Sequence, residues 1–201
     1  SMTGRVVALT DIGADGNHFE QWSYPDEVTI PYLYSDPVVD NGSIYIGCYT
    51  GKVYVVNASR GYPEWKYPSD SYLGAIVGSV AVADGTLYFG SSDKKLYAIN
   101  TTTRTQAWEP FETKGKIWST PVVYNGTVYI GSFDHNLYAL DAADGSLKWS
   151  FKTGGAIVAT PMIYNDSLYF GSLDQKFYAV DIETGALKEG FTPFKADNWF
   201  W

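Results

Sequence analysis

The chain has 201 residues, with 14 lysine and arginine residues against 22 aspartate and glutamate residues, and its formal net charge is −8. This overall charge argues against nucleic acid and anionic membranes as partners, because both need a basic face. Hydrophobic residues make up 45% of the chain and aromatic residues 17%, which is enough for a substantial core and excludes a disordered chain. No run approaches the roughly 18 apolar residues that a membrane-spanning helix needs, so we expect no membrane insertion by this segment.

A short apolar motif ending in glycine recurs at intervals of about forty residues, a spacing typical of proteins built from repeated small sheets. It reads Ile-Tyr-Ile-Gly at 44–47, Leu-Tyr-Phe-Gly at 87–90, Val-Tyr-Ile-Gly at 128–131 and Leu-Tyr-Phe-Gly at 168–171. Tyrosine, valine, isoleucine and phenylalanine favour strands. We therefore predict one strand at each motif.

Each motif lies inside a unit of four predicted strands. An Asn-Gly or Asp-Gly pair precedes it at 41–42, 84–85 and 125–126, and Asn-Asp precedes it at 165–166. These residues accept the positive φ angles of a tight hairpin, so they join the first strand of the unit to the second. The third strand follows the motif, and these three strands are apolar enough to be covered on both faces. The fourth, as at 148–152, alternates between apolar and polar residues and has one wet face.

Four short antiparallel strands per unit predict an all-β fold, a β-propeller in which each unit is one four-stranded blade. A parallel solenoid is excluded, because its strands need long crossovers. The predicted segments are an outer half-blade at 1–27, blades at 28–72, 73–114, 115–154 and 155–194, and the start of the next blade at 195–201. A chain with about four and a half blades can close as a small ring, pair with another copy through its incomplete terminal blades, or form part of a larger propeller. We expect the last of these.

A second pattern joins the third strand of each unit to the fourth. In the third unit, alanine is followed by aspartate, glycine and tryptophan at fixed spacing, and the other units keep parts of the same pattern. The residues at these positions are Trp22 in the half-blade, Gly61 and Trp65 in the first blade, Ala98 and Trp108 in the second, Ala139, Gly145 and Trp149 in the third, and Ala179 and Gly185 in the fourth. Glu189 stands at the tryptophan position of the fourth blade.

This pattern resembles the tryptophan-docking motif of the pyrroloquinoline-quinone (PQQ) repeat family of propellers. In such a motif, a small alanine leaves room for the indole ring, which packs between neighbouring blades, while the aspartate or asparagine and the glycine shape the hairpin. We therefore expect the tryptophans to be structural residues that hold adjacent blades together.

The resemblance also extends to quinone-dependent dehydrogenases. Those enzymes are expected to use a catalytic carboxylate, calcium ligands and often a pair of adjacent cysteines. This chain has a single cysteine, Cys48, and no carboxylate cluster outside the repeat positions. We therefore expect no catalytic residue, no metal ligand and no cofactor in this segment. A fragment of such an enzyme, with its quinone site mainly in absent sequence, is the alternative.

The function implied by the resemblance is that of a non-catalytic scaffold or sensor with a protein partner outside the cytoplasm, similar to the BamB-type lipoproteins of outer-membrane protein assembly. Tyr34 and Trp118 precede the innermost strands of two blades. They are the candidate partner-binding residues, since aromatic side chains anchor many interfaces. Ordinary packing between blades is the alternative role for both residues. A carbohydrate-binding module is a further alternative function.

Overall fold

The computed structural model describes residues 4–9, 20–25 and 32–196, and the regular elements within these ranges are all β-strands. The first two, β1 (Val6–Leu9) and β2 (Glu20–Tyr24), form a two-stranded antiparallel sheet. The remaining strands form separate four-stranded sheets. The all-β fold predicted from the sequence is confirmed.

Four sheets follow one another along the chain, and each is one blade in which neighbouring strands are antiparallel. The first blade contains β3 (Val38–Asp40), β4 (Ser43–Cys48), β5 (Lys52–Asn57) and β6 (Pro63–Tyr67); the second contains β7 (Ala81–Ala83), β8 (Thr86–Gly90), β9 (Lys95–Asn100) and β10 (Phe111–Glu112); the third contains β11 (Val122–Tyr124), β12 (Thr127–Gly131), β13 (Asn136–Asp141) and β14 (Leu147–Lys152); the fourth contains β15 (Met162–Tyr164), β16 (Ser167–Gly171), β17 (Lys176–Asp181) and β18 (Phe194–Lys195). Strand order within each blade follows chain order.

The tight hairpins between the first and second strands form where the sequence predicts them. In the third blade, Asn125 and Gly126 have φ angles of 46° and 66°, and in the fourth, Asn165 and Asp166 have φ angles of 45° and 53°. Two successive positive φ angles are the signature of the type I′ turn, whose twist matches that of the flanking strands.

Burial differs between the strands of a blade. The second and third strands are mostly buried, as in β12, where all five residues are buried. The first strand is an edge strand, and the prediction that it is covered on both faces is wrong for the first, third and fourth blades, where this strand carries exposed residues. In the fourth blade, Met162 and Tyr164 are 59% and 63% exposed while Ile163 between them is partly buried. Side chains alternate between the two faces of a strand, so only one face of β15 is covered.

Three glycines of the recurring motif, Gly47, Gly90 and Gly131, each contact an isoleucine of the following connection. A Cβ atom at Gly90 would lie 2.0 Å from the Cγ2 atom of Ile117, and one at Gly131 would lie 2.4 Å from that of Ile157. Both isoleucines are fully buried. The glycine is therefore needed for close packing between a strand and the connection to the next blade, which is a reason that the sequence pattern alone did not show.

The strands lie close to the predicted blade segments. Strand β18 ends at Lys195, one residue beyond the predicted end of the last blade. Most of the segment predicted to begin a further blade, 197–201, lies outside the described residues.

Candidate functional site

The loops of the blades lie on two opposite faces of the molecule. The connection face is formed by the connections from the fourth strand of one blade to the first strand of the next, together with the turns between second and third strands. The opposite face carries the remaining hairpins. Antiparallel strand order places these two sets of loops at opposite ends of each blade.

On the opposite face, indole N–H groups join successive blades. Three tryptophans each donate a hydrogen bond from Nε1 to a backbone carbonyl oxygen of the following blade. The pairs are Trp22 with Ala58 at 3.1 Å, Trp108 with Ala142 at 3.2 Å, and Trp149 with Ile182 at 3.1 Å. A buried indole needs such an acceptor, so the bond removes the cost of burying its N–H group.

The same three rings lie against glycines of the following blade. Gly61, Gly145 and Gly185 have φ angles of 72°, 75° and 69°. A Cβ atom there would lie 2.4 Å from the ring of Trp22, 2.7 Å from that of Trp108 and 2.5 Å from that of Trp149, respectively. Glycine is thus needed at these positions for two reasons. It adopts the left-handed backbone conformation without strain, and its lack of a Cβ atom leaves room for the indole ring.

The alanines named from the sequence lie on the third strands and are fully buried. Ala98, Ala139 and Ala179 have 0% exposure. Ala139 is opposite Trp149 in the antiparallel register of β13 and β14. The small side chain therefore faces the indole of its own blade.

Trp65 differs from the other docking tryptophans because the residue that its ring faces is not a glycine. The residue of the following blade that faces it is Arg104, which stands at the glycine position with a φ angle of 63°. The Arg104 guanidinium carbon lies 6.0 Å from the centroid of the Trp65 ring, within the range of a cation–π interaction. The Trp65 ring also meets Tyr45 edge to face at 6.2 Å. An arginine thus covers the ring where the other blades use glycine.

On the connection face, an aspartate in the turn between the second and third strands links three elements. Asp134 Oδ2 accepts hydrogen bonds from the Lys114 backbone N–H at 2.8 Å and from the Tyr138 hydroxyl at 2.8 Å. Its Oδ1 accepts from the Asn136 backbone N–H at 3.1 Å. Asp174 makes the same set of bonds to Gly154, Lys176 and Tyr178. We call this arrangement the aspartate clamp.

The clamp changes the acidity of its members. Burial by itself raises the pKa of Asp134, but the hydrogen bonds from Asn136, Tyr138 and the Lys114 backbone outweigh it, and the pKa lies below the usual value. Burial is the main cause that raises the pKa of Tyr138, and the hydrogen bond to the Asp134 carboxylate raises it further. The stable state is therefore an ionised carboxylate bonded to a neutral phenol. This carboxylate is occupied by structural bonds.

The first blade has Thr50 at the clamp position, and the Thr50 hydroxyl lies 3.1 Å from Cys48 Sγ. A buried lysine of the same blade holds the connection that follows β6. Lys52 is only 4% exposed. Its ammonium group donates hydrogen bonds to the carbonyl oxygens of Pro68 at 2.8 Å, Ser69 at 3.2 Å and Ser71 at 2.6 Å. Burial lowers the pKa of Lys52. Sequence reasoning missed this residue, since a lysine at the start of a strand carries no signal of burial.

The two candidate partner-binding residues lie on the connection face in different environments. Tyr34 is 56% exposed and its ring meets that of Tyr49 edge to face at 5.5 Å. Trp118 is half-buried, donates its Nε1–H to Ser92 Oγ at 2.8 Å and contacts the Phe133 ring at 4.8 Å. Trp118 thus spans two neighbouring blades with part of its ring accessible, whereas more than half of Tyr34 is exposed.

Tyr34 belongs to a group of exposed aromatic rings. Tyr32 and Tyr49 are 50% and 48% exposed, and their rings lie 6.2 Å apart. We call Tyr32, Tyr34 and Tyr49 the tyrosine cluster. Contacts between the rings restrict their rotation, so they present apolar area at a reduced entropic cost on binding.

The donor groups for a bound quinone and calcium do not assemble in the described part of the chain. Within 4–9, 20–25 and 32–196, there is no group of three histidine, cysteine, aspartate or glutamate side chains able to hold a metal ion. The carboxylates of Asp134 and Asp174 are occupied by the hydrogen bonds of the aspartate clamps. The described residues therefore do not by themselves form a site for a calcium-bound quinone, and we derive no reaction from one. Among these same residues there is also no helix long and apolar enough to cross a membrane.

Comparison with solved structures shows that the fold is shared by propellers of different activities. BamB from Moraxella catarrhalis has a TM-score of 0.75 and 20% identity, covering 92% of this chain and 54% of that chain. A quinohemoprotein alcohol dehydrogenase from Pseudomonas putida HK5 has a TM-score of 0.70 and 22% identity, covering 80% of this chain and 34% of that chain. Saccharomyces cerevisiae Sqt1 has a TM-score of 0.77 and 15% identity, covering 94% and 55%.

The chain thus spans little more than half the length of BamB. No curated protein matches it by sequence. A family model described as outer membrane protein assembly factor BamB matches residues 3–117 and 112–188. These matched segments include all four blades up to β17. The chain therefore belongs to the BamB family of PQQ-like repeat β-propellers.

Proposed function

We propose that this chain is the repeat region of a non-catalytic propeller that acts outside the cytoplasm as a scaffold for protein partners. The compartment and the scaffold role are those of the BamB family, and they come to this chain by its membership. The observation that carries the proposal is the tyrosine cluster, three large aromatic side chains that are about half exposed on one face. Exposed aromatic groups rimmed by polar residues are typical of interaction surfaces.

Tyr34 is the primary anchor in this proposal, and Trp118 is a second, partly accessible one. A rigid frame of blades with loops that differ in sequence suits binding, because the frame holds the loops in place at little entropic cost. The described carboxylates of the clamps are committed to backbone and tyrosine donors, which supports a role without catalysis.

The test is affinity capture from the envelope fraction of the source organism. We expect wild-type protein to retain a specific partner and Tyr34→Ala to lose most of it, because the exposed ring contributes contact area without supporting the fold. Tyr164→Ala is the matched control, since Tyr164 is 63% exposed on the innermost strand of another blade. Equal recovery with wild type and Tyr34→Ala would remove Tyr34 as the anchor.

The dehydrogenase alternative is supported by the structural likeness to the quinohemoprotein enzyme. Titration of the purified chain with pyrroloquinoline quinone and Ca²⁺ distinguishes the two functions. We expect no visible absorbance from bound quinone and no increase in melting temperature. A clear increase in both would favour the enzyme, because a ligand that binds only the folded state raises its stability.

A further inference from the structure

Lysine side chains gather at one place on the connection face, between the second and third blades. Lys114 and Lys116 are exposed in the connection that leads to β11, and they alternate with the buried Thr113 and Ile117. The carbonyl oxygen of Lys94, at the tip of a neighbouring turn, accepts hydrogen bonds from the Thr113 backbone N–H at 2.8 Å and from its hydroxyl at 2.9 Å. Lys94, Lys114 and Lys116, which we call the lysine cluster, are therefore neighbours.

Trp118 borders the lysine cluster. The Lys116 ammonium lies 5.6 Å from the centroid of the Trp118 ring, so a cation and an aromatic face are adjacent. The backbone beneath them is held on both sides: Asp134 accepts from the Lys114 N–H at 2.8 Å, and the Lys116 carbonyl accepts from the Phe133 N–H at 2.9 Å. The surface is thus preorganised, and binding there needs little ordering of the main chain.

The lysine cluster has no carboxylate partner within the described part of the chain. The two ion pairs found there are Arg5 with Glu20 and Lys148 with Asp141, and neither involves the cluster. An anionic partner would supply the counter-charges that these exposed ammonium groups lack within the described residues.

The repeat architecture does not require these residues. In the next connection, the positions of Lys114, Lys116 and Trp118 are occupied by Gly154, Ala156 and Val158. In the preceding connection, they are Leu73, Ala75 and Val77. Both of those connections join blades in the same way. The lysines therefore occur in only one of these three connections, as expected of a binding site and not of a packing element, whereas an aromatic residue at the Trp118 position recurs as Tyr34 before the first blade.

We infer that the lysine cluster and Trp118 bind an acidic segment of a protein partner that also carries an apolar or aromatic side chain. The inference deepens the proposed scaffold function and rests on it. Carboxylates of the segment pair with the ammonium groups, and its apolar side chain packs on the accessible part of the Trp118 ring. A long nucleic acid fits less well, because the chain carries a net charge of −8 and the Asp134 carboxylate lies beside Lys114, which disfavours a continuous polyanion.

Fluorescence anisotropy with a labelled peptide of alternating glutamate and phenylalanine tests the site directly. We expect wild-type protein to bind this peptide, to bind its glutamine counterpart much more weakly, and to lose affinity as salt is added. The variant Lys114→Gln/Lys116→Gln should bind the glutamate peptide roughly tenfold more weakly, since each exposed charge pair contributes up to about fivefold. Both lysines are exposed, so the variant is expected to fold normally.

Arg60→Gln/Lys188→Gln is the matched control, since it removes the same charge from the opposite face and should bind the peptide as wild type does. Equal affinity of wild type and Lys114→Gln/Lys116→Gln would overturn the inference. Tighter binding of an oligothymidylate of the same length would overturn it in favour of nucleic acid. If envelope capture depends on Tyr34 but is unchanged in Lys114→Gln/Lys116→Gln, the scaffold function stands and the acidic-segment site does not.

Discussion

Arg104 occupies a position whose backbone conformation normally selects glycine. Its φ angle of 63° is in the left-handed region, which costs a residue with a Cβ atom about 1 kcal/mol or more. The guanidinium group over the Trp65 ring provides an interaction worth about 0.5–1 kcal/mol at an exposed site. The two terms are of similar size, so arginine is tolerated there because its side chain compensates for its backbone.

This balance predicts the effect of two substitutions at Arg104. Arg104→Ala should lower the free energy of unfolding by about 0.5–1 kcal/mol, because it keeps the backbone strain and loses the contact with Trp65. Arg104→Gly should lie within about 0.5 kcal/mol of wild type, because it loses the contact and relieves the strain. Urea unfolding monitored by tryptophan fluorescence measures both. If alanine proved as stable as glycine, the strain argument would be wrong.

At the scale of the structural element, the turn and the connection stabilise each other through the aspartate clamp. The carboxylate of Asp134 bridges a backbone N–H of the connection, a backbone N–H of its own turn and the hydroxyl of Tyr138 on β13. A charged acceptor makes stronger hydrogen bonds than a neutral one, which explains why the turn carries an ionised carboxylate.

The clamp predicts a specific dependence of stability on pH. The pKa of Asp134 is lowered in the folded state, so the folded protein binds this proton less readily than the unfolded chain. The stabilisation is therefore complete above the unfolded pKa of about 4 and is lost as the pH falls through the lower folded value. Asp134→Asn should be less stable by about 1 kcal/mol at neutral pH, since it replaces a charged acceptor with a neutral one.

The measurement is the free energy of unfolding in urea between neutral pH and strongly acidic pH. Asp134→Asn should lose less stability than wild type across the acidic range, so that the two curves converge. Tyr138→Phe removes one donor to the carboxylate and should move the acid loss of stability to higher pH. Parallel curves for wild type and Asp134→Asn would show that this carboxylate does not contribute to acid sensitivity.

At the scale of the whole molecule, each blade is stabilised mainly by its neighbours. Tyr129 of the third blade is 2% exposed and donates its hydroxyl to the Ile182 carbonyl of the fourth blade at 3.4 Å. Tyr169, at the same position of the fourth blade, is only partly buried, and Glu189 stands at the sequence position that a docked tryptophan occupies in the third blade. The interior blades are therefore covered on two sides, whereas the described part of the fourth blade is covered on one.

Hydrogen exchange should follow this arrangement. In a linear array of repeats, the local stability is the sum of the intrinsic free energy of each repeat and the free energies of its interfaces with neighbouring repeats. We therefore expect the amides of β8, β9, β12 and β13 to exchange most slowly, and those of β1, β2 and β18 to exchange fastest. Mass spectrometry of peptic fragments resolves these segments. Equal protection of β2 and β12 would contradict nearest-neighbour stabilisation.

Sequence by itself determined the strands and hairpins of this protein, because their signals are local. Asn-Gly and Asp-Gly pairs specify the turn between two strands wherever they occur, and the motif ending in glycine recurs in every blade. The positions of Ala139, Gly145 and Trp149 also follow from spacing within one hairpin. The exposed edge of the first strands was not predicted, because an apolar run does not show which of its faces has a neighbour.

Only the tertiary structure decided which distant residues meet. It places Arg104 over Trp65 and surrounds the Lys52 ammonium with carbonyl oxygens. It also gathers Lys94 with Lys114 and Lys116 on one face of a chain whose net charge is −8. The net charge of a sequence does not show where its charged side chains lie in space. A contact between blades depends on how the antiparallel strands bring separate loops to the same end of the molecule. That spatial arrangement, and not composition, creates the basic surface of this acidic protein.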